Sequence, residues 1–334
     1  MGCHVAVVGA TGAVGQEFIR VLEQRRFPCT DITFLASARS AGKPITFGGK
    51  QYAIKELGEG SFAGVDLALF SAGASVSRQF APLAVKAGAV VVDNSSAFRM
   101  DPNTPLVVPE VNPEDVRWHK GIIANPNCST IIMVVPVYPL HRVNSVRRLV
   151  ASTYQAASGA GYQAMLELER QAREVLDGLP VTRKVFPHQI AFNLFSHNSR
   201  IAENGYNEEE NKMVNETRKM FHDDRIAITA TCVRVPVLRA HSESLNLTFE
   251  RPMSEAEVRE ILSRAPGVRI VDDRERNYHP MPLDATGGDD VLVGRIRQDI
   301  SQPDGRGIDM FISGDQLRKG AALNAVQIAE LLIR

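Results

Sequence analysis

Cysteine is scarce in this 334-residue chain, and its four copies (Cys3, Cys29, Cys128 and Cys232) show no CxxC pair and no repeated spacing. That excludes a disulfide-stapled scaffold and a cysteine zinc centre, and it suits a reducing cytoplasm. No charge sign predominates either. Lysine plus arginine number 38 and aspartate plus glutamate 38, so no global field draws nucleic acid or an anionic membrane, and any anion must be held by a local cluster. No apolar run approaches the length of a bilayer span. A strand-like run begins at residue 4, so no signal peptide is expected. Internal repeats and low-complexity segments are missing. The acidic turn Asp284–Asp290 lacks calcium-loop spacing, and no metal is expected. What remains is ordinary for a soluble globular protein, at 44% hydrophobic and 23% charged residues. The length suits two domains.

The first half alternates apolar strands with helices. Strand candidates are His4–Val8, Ile32–Ala36, Asp66–Phe70, Ala89–Asp93, Leu106–Val108 and Gly121–Ala124. One amphipathic helix carries Phe18, Val21 and Leu22, and another spans about Val76–Ala87. Such alternation predicts an α/β fold with a parallel sheet covered on both faces, binding ligands beyond the carboxyl ends of its strands. Gly9-Ala10-Thr11-Gly12-Ala13-Val14-Gly15 lies there, after the first strand and opening the first helix. This variant of the G-x-G-x-x-G spacing suits a dinucleotide pyrophosphate on a helix N-terminus; glycines that merely turn the chain are the bland alternative. After the second strand, where an NAD site places an acid, the chain has Ser37-Ala38-Arg39-Ser40. A guanidinium between hydroxyls favours the 2′-phosphate of NADP, unless Arg39 is simply a solvated surface arginine. Asp31 precedes the strand and does not restore the NAD reading.

Cys128 stands where the extended segment Gly121–Ala124 gives way to the apolar run Ile131–Val135. Asn127 is a good N-cap and Pro126 discourages helix before it. The thiol therefore falls in the first turn of a helix, where N–H groups and the helix dipole favour thiolate and oxyanion. A buried packing cysteine is the alternative. Further on, strand Arg148–Gln155 enters the small-residue loop Ala156–Gly161, where Gln155 can orient a carbonyl or be an ordinary strand-end glutamine. The charged run Glu208–Lys212 reads mostly as a solvated helix face, with Glu209 and Lys212 three apart on one side. Arg234 ends strand Ile226–Arg234 and needs an anionic partner, either a substrate carboxylate or an internal acid. His241, at the start of the next strand, is either structural or an acid/base for a nearby thiol. Ser254–Glu257 is a capping box. Strands near Val291–Asp299 and Gly307–Ser313 complete a sheet, Gln316–Arg334 reads as an amphipathic helix returning to the first domain, and Cys3, Cys29 and Cys232 serve packing.

Together these segments resemble aspartate-semialdehyde dehydrogenase over nearly the whole chain. The carrying motifs are Gly9–Gly15, Ser37–Ser40, Asp93-Asn94-Ser95-Ser96-Ala97-Phe98-Arg99, Asn125–Thr130, Tyr154–Gly159, Glu209–Lys212, and Cys232–Arg234 through His241-Ser242. The segment 197–207 follows the family pattern least. The resemblance implies a Rossmann-type NADP-binding domain over 1–127, rejoined by a terminal helix over 315–334. It implies an α+β catalytic and dimerisation domain over 128–314, in a glyceraldehyde-3-phosphate dehydrogenase-like arrangement, and a homodimer. Cys128 would form a thioacyl intermediate, with His241 as acid/base and Gln155 orienting the substrate. Arg234 would hold the substrate carboxylate, Glu209 its amino group, and Arg99 and Lys212 the phosphate. Gly9, Thr11, Gly12, Ala13, Val14, Ser37, Arg39, Ser40, Ser158, Gly159 and Gln316 would bind NADP. The implied reaction is reversible NADPH-dependent conversion of L-4-aspartyl phosphate to L-aspartate 4-semialdehyde, serving lysine (through diaminopimelate), threonine and methionine biosynthesis. Rival readings are a related acyl-phosphate reductase, such as one acting on N-acetylglutamyl phosphate, and a catalytically silent binding or assembly partner.

Overall fold

A computed structural model describes residues 2–333. The chain divides into two compact units, residues 1–127 with 321–334, and residues 128–320. The return to the first unit thus comes a few residues later than the expected 315.

In the first unit, strand Cys3–Val8 is buried everywhere but at His4, which is why Val5–Val8 is an unbroken apolar run. It is central to a parallel six-stranded sheet, in the order Lys55–Glu56, Cys29–Ala36, Cys3–Val8, Leu67–Phe70, Val90–Asp93, Ile122–Ala124. Helices Ala13–Gln24 and Ala74–Lys86 follow the first and fourth strands in sequence. This is the Rossmann-like architecture. Asp31 lies within the second strand, near its start, rather than before it. Leu106–Val108 is not a strand: Leu106 makes one bridge to Ala124. Pro105 and Pro109 flank it without N–H groups, so no ladder can extend. The Asn112 side chain satisfies the segment instead, accepting from the Val108 amide at 3.0 Å and donating to the Leu106 carbonyl at 2.8 Å. The terminal helix, Leu323–Leu332, joins the core of Val5, Val7, Phe18 and Leu22. It is buried on nearly every side, so the expected amphipathic pattern was wrong. A π-helical turn, Arg318–Ala322, precedes it.

The second unit carries a mixed seven-stranded sheet. Its order is Phe195–Ser196, Ala227–Arg234, Val146–Gln155, His241–Phe249, Gly307–Gly314, Val291–Gln298, Val268–Ile270. Helix Cys128–Val143 packs on this sheet and is apolar on almost all sides because it is buried there. Helix Glu208–Phe221 opens with a full capping box: Asn207 accepts from the Glu210 amide while Glu210 accepts from the Asn207 amide. The expected solvated charged face holds at Glu208, which is exposed, and fails at Glu209 and Glu210, which are buried, as is Glu216 further along the helix. Glu210 also accepts from the Cys232 amide at 3.0 Å, so the acid ties helix to strand. Ser254 caps helix Glu255–Ser263 by accepting from the Glu257 amide.

Candidate active site

In the first unit, the glycine segment is shaped by close backbone approach. Gly9 has φ +85°, and a Cβ there would stand 2.3 Å from the Ser71 carbonyl oxygen. A Cβ on Gly15 would stand 2.2 Å from the Gly9 carbonyl oxygen. These two contacts let helix Ala13–Gln24 start against the strand end, with Gly12 as its N-cap and its first-turn amides facing outward for an anion. Thr11, Ala13 and Val14 belong to this turn. Ser37, Arg39 and Ser40 form a short turn after the neighbouring strand, with Arg39 exposed. Arg99 also lies in this unit. It is buried, with Nε donating to the Asn125 carbonyl at 2.9 Å and Nη2 to the Asn94 carbonyl at 3.0 Å.

The second unit assembles the remaining residues by strand register. Arg234 is paired with Gln155 across two parallel strands. On the other side of Gln155, His241 lies one step beyond the antiparallel Ser242–Tyr154 pair, and His241 is paired with Gly314. Arg234, Gln155 and His241 therefore form one cross-strand row, with side chains on one face of the sheet. The row ends at Gly314, where a Cβ would approach Ile132 of the Cys128 helix to 3.0 Å. Cys128 is four residues before Ile132, on the same helix face one turn nearer the N-terminus. A Cβ on Gly320, in the π-helical turn, would come within 3.0 Å of the Cys128 Cβ. The Cys128 sulfur also lies within electrostatic range of Arg234. Cys128 is partly accessible and heads its helix as expected, which fits a reactive thiol better than a packing one. Cys3 and Cys232 are buried, and burial pushes the Cys29 thiol up to about 12.

His241 is fully buried, and the Ala156 amide donates to its Nδ1 at 3.0 Å. A neutral ring so held carries its proton on Nε2, an atom with no hydrogen-bond partner among the described residues. Burial first, then Arg234, lowers its pKa to about 3. Arg234 is 4% exposed. It donates to the Ala156 carbonyl at 3.2 Å and to His197 Nε2 at 2.8 Å, while its Nε has no protein partner. Among the described residues no carboxylate lies within salt-bridge distance of it, and the charges of Glu209 and Cys128 favour the cation at longer range. Glu209 accepts from Gln155 Nε2 at 3.4 Å and from Lys212 Nζ at 3.1 Å, so Lys212 and Glu209 pair with each other. Gly159 packs against the row, since a Cβ there would lie 2.7 Å from Arg234 Nη1 and 3.0 Å from His241 Nε2. Gln316 Nε2 donates to Ser158 Oγ, and its Oε1 accepts from the Ala240 amide at 2.8 Å.

Four residues escaped the sequence reading. Ala156 holds both His241 and Arg234 through its backbone. Ala240, with φ +71°, turns the chain into His241. His197 binds Arg234. Glu243 lies two residues after His241 on the same strand face, 0% exposed, with no hydrogen-bond partner among the described residues for either carboxyl oxygen. Only Glu243 had a readable signal, an acid in the alternation that continues with buried Leu245, Leu247 and Phe249.

Residues 4–119 match the family model for the semialdehyde dehydrogenase NAD binding domain, and residues 137–319 that for the semialdehyde dehydrogenase dimerisation domain. Fold and site thus define a semialdehyde dehydrogenase. Among its relatives are the aspartate-semialdehyde dehydrogenases of Synechocystis sp., 57% identical over 99% of this chain and 97% of that one, and of Aquifex aeolicus, 54% identical over 100% and 99%. Among solved structures, aspartate semialdehyde dehydrogenase II of Vibrio cholerae, complexed with ASA, superposes with a TM-score of 0.97 at 44% identity, covering 100% of this chain and 99% of that one. The chain belongs to the aspartate-semialdehyde dehydrogenase family, oxidoreductases of amino-acid biosynthesis.

Proposed function

We propose that this enzyme converts L-4-aspartyl phosphate reversibly to L-aspartate 4-semialdehyde with NADPH, through a thioester on Cys128, supplying lysine, threonine and methionine biosynthesis in the cytoplasm. The observation that carries the reading is the single row Arg234–Gln155–His241 in the unit headed by Cys128. One fixed cation, one amide and one ring N–H converge there, which suits a small substrate carrying both a carboxylate and a reacting carbonyl.

Arg234 is a bidentate cation with no internal carboxylate, so it takes the substrate carboxylate. Glu209, buried beside Gln155, takes the ammonium, an interaction that an N-acetylated substrate cannot offer; this favours aspartyl phosphate over the N-acetylglutamyl rival. Cys128, as thiolate, attacks the acyl carbon. The helix amides, Gln155 and His241 Nε2–H stabilise the tetrahedral oxyanion. Its collapse expels phosphate, for which Arg99 and Lys212 supply positive charge. When bound, NADPH supplies the hydride that reduces the thioester. The alkoxide then formed on the Cys128 adduct collapses to aldehyde and thiolate without net proton transfer. A neutral His241 that donates a hydrogen bond in both tetrahedral stages fits this sequence better than the acid/base role expected from sequence. The glycine cradle at Gly9 and Gly15 fits a dinucleotide pyrophosphate, with Thr11, Gly12, Ala13 and Val14 around it. Ser37, Arg39 and Ser40 would hold a 2′-phosphate, and Ser158, Gly159 and Gln316 would also bind the cofactor. A homodimer through that unit agrees with the exposed aromatic Tyr154, which packs on Phe311 on the sheet face opposite Gln155.

The test is phosphate-dependent NADPH production from aspartate semialdehyde, followed by absorbance. Cys128→Ala is expected to abolish it while NADP still binds; activity near wild type would refute the nucleophile.

A further inference from the structure

The guanidinium of Arg234 carries donors only, so the His197 Nε2 that lies 2.8 Å from Nη2 must accept. A neutral ring with Nε2 accepting carries its proton on Nδ1, which faces Ser199 Oγ at 3.0 Å. The Ser199 amide also points at this Nδ1 from 3.2 Å, a longer contact than the 2.8 Å one to the Arg234 cation, so the arginine sets the tautomer and the Ser199 hydroxyl is the Nδ1 partner that fits it. Ser199 Oγ also accepts from the Glu209 amide at 3.2 Å. The His197 backbone is tied to the Arg234 strand, its amide donating to the Cys232 carbonyl at 2.8 Å. One imidazole therefore connects the arginine and the helix N-terminus that bears Glu209.

We propose that His197 is a positioning residue for substrate recognition: its neutral Nε2 fixes the Arg234 guanidinium in the orientation that receives the substrate carboxylate. The inference rests on the assignment of Arg234 to that carboxylate. With Arg234 held on one side by the Ala156 carbonyl and on the other by His197, its unpartnered Nε has one direction left to point. A ring that stays neutral is required, because an imidazolium would offer Arg234 a proton and a second positive charge. Burial and Arg234 keep the His197 pKa down at about 4, against Glu209, with Lys212 nearby adding to the depression.

The experiment is steady-state kinetics of the NADP-loaded enzyme with aspartate semialdehyde and phosphate, for wild type, His197→Ala, His197→Gln, Ser199→Ala and Arg234→Lys. Loss of a hydrogen bond to a charged group predicts a KM for the semialdehyde about tenfold higher in His197→Ala, with kcat within about twofold. His197→Gln, whose amide oxygen can accept, should recover most of the loss, and Ser199→Ala should raise KM in the same direction by less. A generally loosened structure would lower kcat and would not be rescued by Gln. Arg234→Lys raising KM while His197→Ala does not, or Ala and Gln behaving alike, overturns the positioning role. Arg234→Lys leaving KM unchanged overturns the carboxylate assignment beneath it.

Discussion

Glu243→Gln tests the state of the site's most anomalous side chain. Glu243 sits on the His241 strand, paired with Thr153 on one side and Ile312 on the other, fully buried and without a hydrogen-bond partner for either oxygen. Burial, reinforced by the negative charge of Glu209, raises its pKa well above 4.5. The folded protein therefore holds it as a neutral acid, whereas the unfolded chain releases the proton above about pH 4.5. With one proton bound in the native state and none in the unfolded state, stability falls as pH rises, by about 1.4 kcal/mol per pH unit. The contribution is fully present below the unfolded pKa and is lost as pH climbs towards the folded one. Glutamine has nearly the same shape and no charge to gain, so the variant lacks this slope. Urea denaturation followed by circular dichroism, stepped upward from about pH 5 at fixed ionic strength, should show the variant gaining on wild type by up to roughly that amount per unit, until the raised folded pKa is reached. The buried histidines cancel in the comparison. His241 and His197, with lowered pKa values, lose stability as pH falls below about 6.5 in both proteins alike. A gap that stays constant with pH would refute the neutral acid, because only an ionised Glu243 gives wild type and variant the same slope.

Two further substitutions probe the rest of the reading. Arg39→Asp should raise KM for NADP at least about tenfold more than KM for NAD, since it replaces a phosphate partner with a repelling acid; steady-state kinetics with both cofactors checks this, and equal effects would show that Arg39 does not read the 2′-phosphate. Gly159→Ala forces Arg234 and His241 to move by several tenths of an ångström from contacts of 2.7 and 3.0 Å, so kcat/KM should fall by about 10- to 100-fold while the urea midpoint shifts little; unchanged kinetics would mean that the row tolerates displacement.

Much of the fold was legible because it rests on local rules. Strand Cys3–Val8 announced its burial by having no polar alternation, and Gly9 and Gly15 marked the turn at two positions where a side chain cannot fit. Asn127 and Pro126 located the start of the Cys128 helix to the residue. The errors arose where tertiary context overrode pattern. Leu106–Val108 has strand composition, but two prolines and the Asn112 side chain settle its backbone otherwise. The Glu208–Lys212 run looked like solvent-facing charge, and Glu208 is exposed, yet Glu210 is spent on the helix cap and a bond to Cys232, and Glu209 on bonds to Gln155 and Lys212. The terminal helix looked amphipathic on periodicity, and burial on nearly all sides shows how little periodicity says once a helix enters a core.

The site itself depends on a quantity that no window of sequence contains, the relative register of three strands. Arg234 and Gln155 each end a strand and His241 begins one, and composition could nominate them on that ground alone. Whether they meet is decided by pairing, because a slip of one residue on any strand would turn its side chain to the opposite face of the sheet. That opposite face carries Tyr154 and Ser242, which alternate with Gln155 and His241. The same register sets Glu243 in the next row with Thr153 and Cys232, so the strand that brings His241 beside Gln155 and Arg234 turns the residue two places on to the same face. An apolar side chain there would be the physically cheaper choice. A carboxyl in that place is tolerated only while it keeps its proton, and that ties its ionisation to the register that builds the site.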